Sequence, residues 1–142
     1  EKVTARAYRI PTDRPESDGT LRWAATTMVV VHIDAGGRQG FGYAYTDAGA
    51  LEVIRGTLTE KIGGLDALDT PRCWSLMAAA IRNLGERGIA CMAVAAVDVA
   101  LWDLKAKLLD LPLASLLGRV RDRKTMCRGC GSSASACRRP SR

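Results

Sequence analysis

The feature that most constrains this chain is a single change of hydrophobic period. Up to about residue 45 apolar residues recur at every second position. Beyond it they recur at every third or fourth, and the period of two never returns. Strands therefore come first and helices after, without the alternation that builds a parallel sheet. The chain predicts an α+β fold, a three-stranded antiparallel meander followed by three or four helices, with a disordered C-terminal tail.

In residues 2–10, Val3, Ala5 and Ala7 share one face and Thr4, Arg6 and Tyr8 the other, which reads as a strand. Residues 11–20 hold two prolines, Gly19 and otherwise polar or charged side chains apart from the prolines, and read as a loop. Residues 23–34 are rich in Thr and Val and read as a long second strand. Ala35-Gly36-Gly37 is a tight connection to a third strand over residues 38–45, where Gly40 and Gly42 signal close backbone approach or a bulge.

Leu51, Ile54, Leu58 and Ile62 then mark one face of a helix, with Thr46 or Asp47 as its cap and Gly63-Gly64 as its end. Asp69-Thr70-Pro71 restarts a helix, with a capping side chain ahead of the proline and an apolar stripe of Trp74, Met77, Ile81 and Leu84. A long helix is predicted over residues 89–109. Ala93, Val97 and Leu101 form one row on it, and Ala96, Ala100, Leu104 and Leu108 the next, so a neighbour packs close. Asp103 and Lys107 sit at i, i+4 in the favourable order for a surface ion pair. Leu111-Pro112 stops the helix and Gly118 closes a short apolar turn.

The formal net charge of +6 is not spread along the chain. Residues 119–142 carry eight of the 21 basic residues and one of the 15 acidic ones, which leaves 13 against 14 in the rest. After Val120 there is no Val, Ile, Leu, Phe, Tyr or Trp. The expected division is a folded domain over residues 1–120 and a basic, Cys-containing tail over residues 121–142, disordered or frame-shifted. The sequence does not open on a charged-then-apolar run, so secretion is not expected. The longest nearly apolar stretch, residues 89–102, is broken by Asp98 and falls short of the ~20 residues of a span, so no membrane partner and a cytoplasmic location are expected.

Few residues carry chemistry. His32, the only histidine, lies mid-strand, where a structural role is the expectation. Gly36, Gly37 and Gly40 follow a strand but do not open a helix, so they fail the context of a phosphate cradle. Cys127, Cys130 and Cys137 offer part of a zinc site, but no second pair or nearby His completes four ligands. The tail's cations could meet phosphates, yet without aromatic residues to stack on bases no specific nucleic-acid binding is expected. Asp98 and Asp103, five positions apart on a helix, point roughly 140° apart and cannot share one ion. A buried, hydrogen-bonded role is expected for Asp98, and a core or inter-domain contact for Trp102.

The run from Met92 through Asp98, Trp102 and Asp103 to Lys107, followed by Leu111-Pro112 and Leu116-Leu117-Gly118, resembles the signature helix and turn of the enolase superfamily, closest to the mandelate racemase/muconate lactonizing enzyme group. The strands-then-helices order and Gly42-Tyr43-Ala44-Tyr45-Thr46-Asp47 after the third strand resemble that family's N-terminal capping domain. The resemblance implies a parent enzyme that abstracts a proton α to a carboxylate, with Mg²⁺ on the resulting enediolate, acting as racemase, acid-sugar dehydratase or cycloisomerase. It implies that the base and metal ligands belong to a barrel domain this chain lacks, so no catalytic residue, no metal ligand and no cofactor are expected in the chain itself. The cap's substrate-side residues are implied at Tyr45, with Trp23 and Glu16 as looser candidates. The carboxylate partner, a hydroxy acid or sugar acid, would be met only with a barrel, and the face that would meet the barrel is expected to promote self-association. An independent binding module with a zinc- or nucleic-acid-binding tail is the alternative, and a cap complementing a barrel on a separate chain is a third.

Overall fold

The computed structural model describes residues 2–85 and 87–119. The tail over residues 121–142, with Cys127, Cys130 and Cys137, lies outside the described residues. Three strands, β1 (Lys2–Ser17), β2 (Arg22–Ala35) and β3 (Arg38–Tyr45), form an antiparallel sheet in the order β1-β2-β3. Helices follow without a further strand among the described residues, as the change of period requires.

The first hairpin departs from expectation. Residues 11–20 are not a loop: β1 continues to Ser17, and only Asp18 to Leu21 turn. The register runs from Lys2↔Asp34 to Pro11↔Ala25 and resumes at Glu16↔Trp23, so β1 carries surplus residues between Pro11 and Glu16. Pro11 and Pro15 lack a backbone donor, but β1 is an edge strand, where a missing donor leaves no ladder bond broken. The bulge absorbs Pro15, and the start of β2 supplies the pairing edge that composition could not reveal. At the tip, Asp18 Oδ1 accepts from the Thr20 amide at 2.9 Å, the Thr20 hydroxyl at 2.7 Å and the Leu21 amide at 2.9 Å.

The second hairpin is as expected. Gly36 and Gly37, at φ +57° and +73°, form a two-residue turn closed by the pair Ala35↔Arg38. Positive φ at both central positions matches the twist of the flanking strands and is open to glycine without steric cost.

The helices cover one face of the sheet. They are α1 (Gly49–Glu52), a π-helical stretch (Val53–Leu58), α2 (Thr59–Ile62), α3 (Thr70–Ile81), α4 (Ile89–Leu108) and α5 (Leu113–Leu116). Asp47 Oδ1 accepts from the Gly49 amide at 2.8 Å ahead of α1. From α1 to α2 the buried row is Ala50, Ile54, Leu58 and Ile62, spaced four apart throughout. Such a row drifts around an ordinary α-helix, and local π winding brings it back toward one side. Thr59 Oγ1 donates to the Ile54 carbonyl at 2.8 Å within this stretch.

On α3 the buried row is Thr70, Cys73, Met77 and Ile81. Trp74 is 53% exposed and Leu84, past the helix end, is 56% exposed, so half of the expected stripe faces outward. Asp69 makes no side-chain cap bond; its carbonyl instead accepts from the Cys73 amide.

The centre of the fold is the crossing of α4 over β2 and β3. Val29, Val31 and Ile33 of β2 pack against Ala93, Ala96, Val97, Ala100 and Leu104. A Cβ on Gly40 would collide with the Ala100 carbonyl and lie 2.6 Å from Leu104 Cβ; one on Gly42 would collide with the Ala96 carbonyl and lie 2.6 Å from the Ala100 amide nitrogen. The glycines thus mark close approach, and the alanine rows of α4 are its other half. The Asp103–Lys107 pair (2.6 Å) does more than decorate a solvated face. Asp103 Oδ2 accepts from the Phe41 amide at 2.8 Å, and Lys107 Nζ donates to the Gln39 carbonyl at 2.8 Å. The two charges satisfy backbone groups on the free edge of β3, which would otherwise invite strand pairing.

Candidate functional site

Because β2 begins at Arg22 and β3 ends at Tyr45, opposite Met28, the first hairpin continues past the sheet as a two-stranded arm. Trp23 lies five residues beyond Met28 along β2, roughly 16 Å at the usual strand rise. Trp23 and Glu16 face each other across the arm, and the Trp23 indole Nε1–H donates to Glu16 Oε2 at 2.8 Å. Two of the three expected substrate-side residues are thus joined into one latch.

Tyr45 stands apart from them, at the root of the arm, 62% exposed. Gly42 faces α4, so the alternation of β3 puts Phe41, Tyr43 and Tyr45 on the opposite face. On β2, Trp23 has the parity of Val29 and Val31, the helix side. The site is therefore an open end of the sheet with a polar latch on one side and an exposed phenol on the other, joined by a turn in which the Thr46 amide donates to the Thr27 carbonyl. Such a surface can bind, orient and shield.

Its electrostatics are set at the arm's tip. Three hydrogen bonds, that of the Leu21 amide first, hold the Asp18 carboxyl down to about 2, so it remains charged well into acid. Asp98 shows the opposite. It is half-buried on α4, burial raises its pKa, and no side-chain hydrogen bond or ion pair reaches it among the described residues. The expected hydrogen-bonded role is not what the fold provides. Trp102 is half-buried, with Lys105 Nζ 5.1 Å from its ring centre.

Among the described residues no three His, Cys, Asp or Glu side chains come together as ligands. These residues do not fit a magnesium site, and no step through a metal is assigned to them. His32 is held in the sheet with its ring 5.5 Å from that of Phe41. It also lines a groove with Arg6 and Tyr8, a grouping the strand pattern could have disclosed, since Thr4, Arg6 and Tyr8 alternate on one face. No helix among the described residues is long and apolar enough to cross a membrane.

The fold is an α+β domain, a three-stranded antiparallel sheet crossed by a long helix and prolonged by a projecting hairpin. The sequence profile of the mandelate racemase / muconate lactonizing enzyme N-terminal domain matches residues 4–118, and the chain belongs to that family. A solved mandelate racemase/muconate lactonizing enzyme-like protein from Rubrobacter xylanophilus is 52% identical, with TM-score 0.79 over 82% of this chain and 32% of its own. The L-talarate/galactarate dehydratase of Salmonella typhimurium is 34% identical over 128 residues, 80% of this chain and 31% of the enzyme. The L-talarate dehydratase of Polaromonas sp. JS666, solved with Mg and L-glucarate, is 32% identical with TM-score 0.70, covering 84% and 35%. Further matches include a racemase solved with bound magnesium and two cycloisomerases. The chain spans a quarter to about a third of the length of the curated relatives it matches.

Proposed function

We propose that residues 4–118 are the substrate-capping domain of an enzyme that abstracts a proton α to the carboxylate of a hydroxy acid or sugar acid, as a racemase or acid-sugar dehydratase. The observation that carries this reading is the arm of the first hairpin, which extends beyond the sheet and is latched by Trp23 and Glu16. A projecting arm with a fixed tip and an exposed Tyr45 at its root suits closure over a pocket belonging to another domain. In that role Glu16 and Trp23 hold the arm's shape, Tyr45 contacts substrate, and the arm excludes water.

The 142-residue chain by itself is without turnover in this reading, because the described residues offer surface and shape but no metal cluster. The purified chain, incubated with Mg²⁺ and acid sugars in D₂O, should leave the α-proton in place; exchange there would overturn the inactivity. Grafting residues 4–118 onto the remainder of the Salmonella dehydratase tests the cap. Tyr45→Ala and Trp23→Ala in the graft should change the ranking of acid sugars by kcat/KM. An unchanged ranking would overturn the capping role.

A further inference from the structure

The face of the sheet turned away from the helices, which also carries Tyr45, holds a groove whose lining residues have no part assigned in the capping role. It has a volume of about 260 Å³ and is lined by Thr4, Arg6, Tyr8, Val30, His32 and Gln39. That volume sits just below the range usual for ligand pockets and suits a compact group of few heavy atoms. All three strands contribute. The register Thr4↔His32 and Arg6↔Val30 places Arg6 diagonal to His32, about 7–8 Å apart at the backbone, which leaves room between their tips.

The chemistry of the lining has one sign. Arg6, His32, Tyr8 and Thr4 all carry N–H or O–H donors, and none of them has a side-chain hydrogen bond or ion pair among the described residues. The carboxylate nearest in the register, Asp34, is engaged by Gln39 Nε2 at 2.8 Å and stands opposite Lys2. Val30, 8% exposed, provides an apolar floor, and the Phe41 ring steadies the imidazole. An arginine fork without a protein carboxylate, with further donors around it, matches the oxygens of a carboxylate or a phosphate.

We propose that this groove binds a small oxyanion, a carboxylate or phosphate group, between Arg6 and His32, on the sheet face that also carries Tyr45 but with Tyr45 outside its lining. The proposal does not depend on the capping role, since its test reads binding and not turnover. The ¹⁵N-labelled chain is titrated with succinate and with inorganic phosphate at constant ionic strength, with sodium chloride as control. Saturable shifts at the amides of Thr4, Arg6 and His32 are expected with at least one anion, and the anion that gives them identifies the source. Arg6→Ala should weaken binding by about tenfold or more, Arg6→Lys less, and Arg9→Ala, outside the groove, not at all. Shifts that never saturate, or equal losses in the Arg6 and Arg9 variants, overturn the proposal. So does an Arg6→Ala variant whose sedimentation mass changes while anion binding does not, because the groove would then be a contact between copies.

Discussion

Replacing Gly42 by alanine puts the packing argument at risk most directly. The added methyl would lie 2.6 Å from the Ala100 amide nitrogen and 3.1 Å from Ala100 Cβ, besides colliding with the Ala96 carbonyl. Ordinary contact begins near 3.4 Å, so the first of these distances is short by about 0.8 Å. The obstructing atoms are mostly backbone of a helix whose Ala96 and Ala100 are fully buried, so no side chain can rotate away. The helix must lift from β3, and a radial gap of 0.5–1 Å forfeits about a quarter to a half of each contact along the seam. Over-packing usually costs about 1–3 kcal/mol, and a backbone obstacle places this case at or above the upper end. Urea unfolding at unchanged m should show a loss of about 3 kcal/mol or more. The melting temperature should fall by on the order of 10 °C. Gly56→Ala is the paired control: nothing lies within 4 Å of its added methyl, and removing a helical glycine should stabilise by about 0.5–1 kcal/mol. A Gly42→Ala chain within about 0.5 kcal/mol of the parent, inside the usual scatter of surface substitutions, would refute the close crossing.

Asp103→Ala leaves the Phe41 amide and Lys107 without their carboxylate partner; a loss of about 1–2 kcal/mol and faster hydrogen exchange at the Phe41 amide are expected. Asp18 should titrate by carboxyl-carbon NMR with a midpoint near 2. Its folded value lies below its unfolded one, so the ordering it gives the hairpin tip is complete above the unfolded value of about 3.9 and is lost as pH falls through about 2. Asp98 has the opposite sign: burial raises its folded value, so the chain gains stability as pH falls through that value toward the unfolded one. Asp98→Asn should therefore be at least as stable as the parent at neutral pH, by thermal melting, and a clearly less stable variant would mean that its carboxylate has a partner.

The change of period from two to nearly four dictated the class of fold, because a chain can bury an alternating face only as a strand and a three-four face only as a helix. The two-glycine turn and the bounds of β3 and α4 were equally legible, since they follow from local backbone freedom and from long unbroken patterns. Glycine at 40 and 42 even announced a close neighbour. Tertiary structure decided what depends on residues distant in the chain. Residues 11–17 are strand because Arg22 to Ala25 offer an edge, although their prolines argue locally for a loop. Trp74 faces out and Thr70 inward because the core lies against the side of α3 that carries Thr70, Cys73, Met77 and Ile81, so Met77 and Ile81 of the expected stripe are kept and its two ends are not. Asp103, locally half of an ion pair, becomes the clasp of the β3 edge because α4 crosses there, and Asp98 lacks a partner for the same reason. Periodicity reports which face of an element is apolar. It cannot report which polar groups two elements bring together, because that depends on where they cross, and the crossing is fixed only when the core closes.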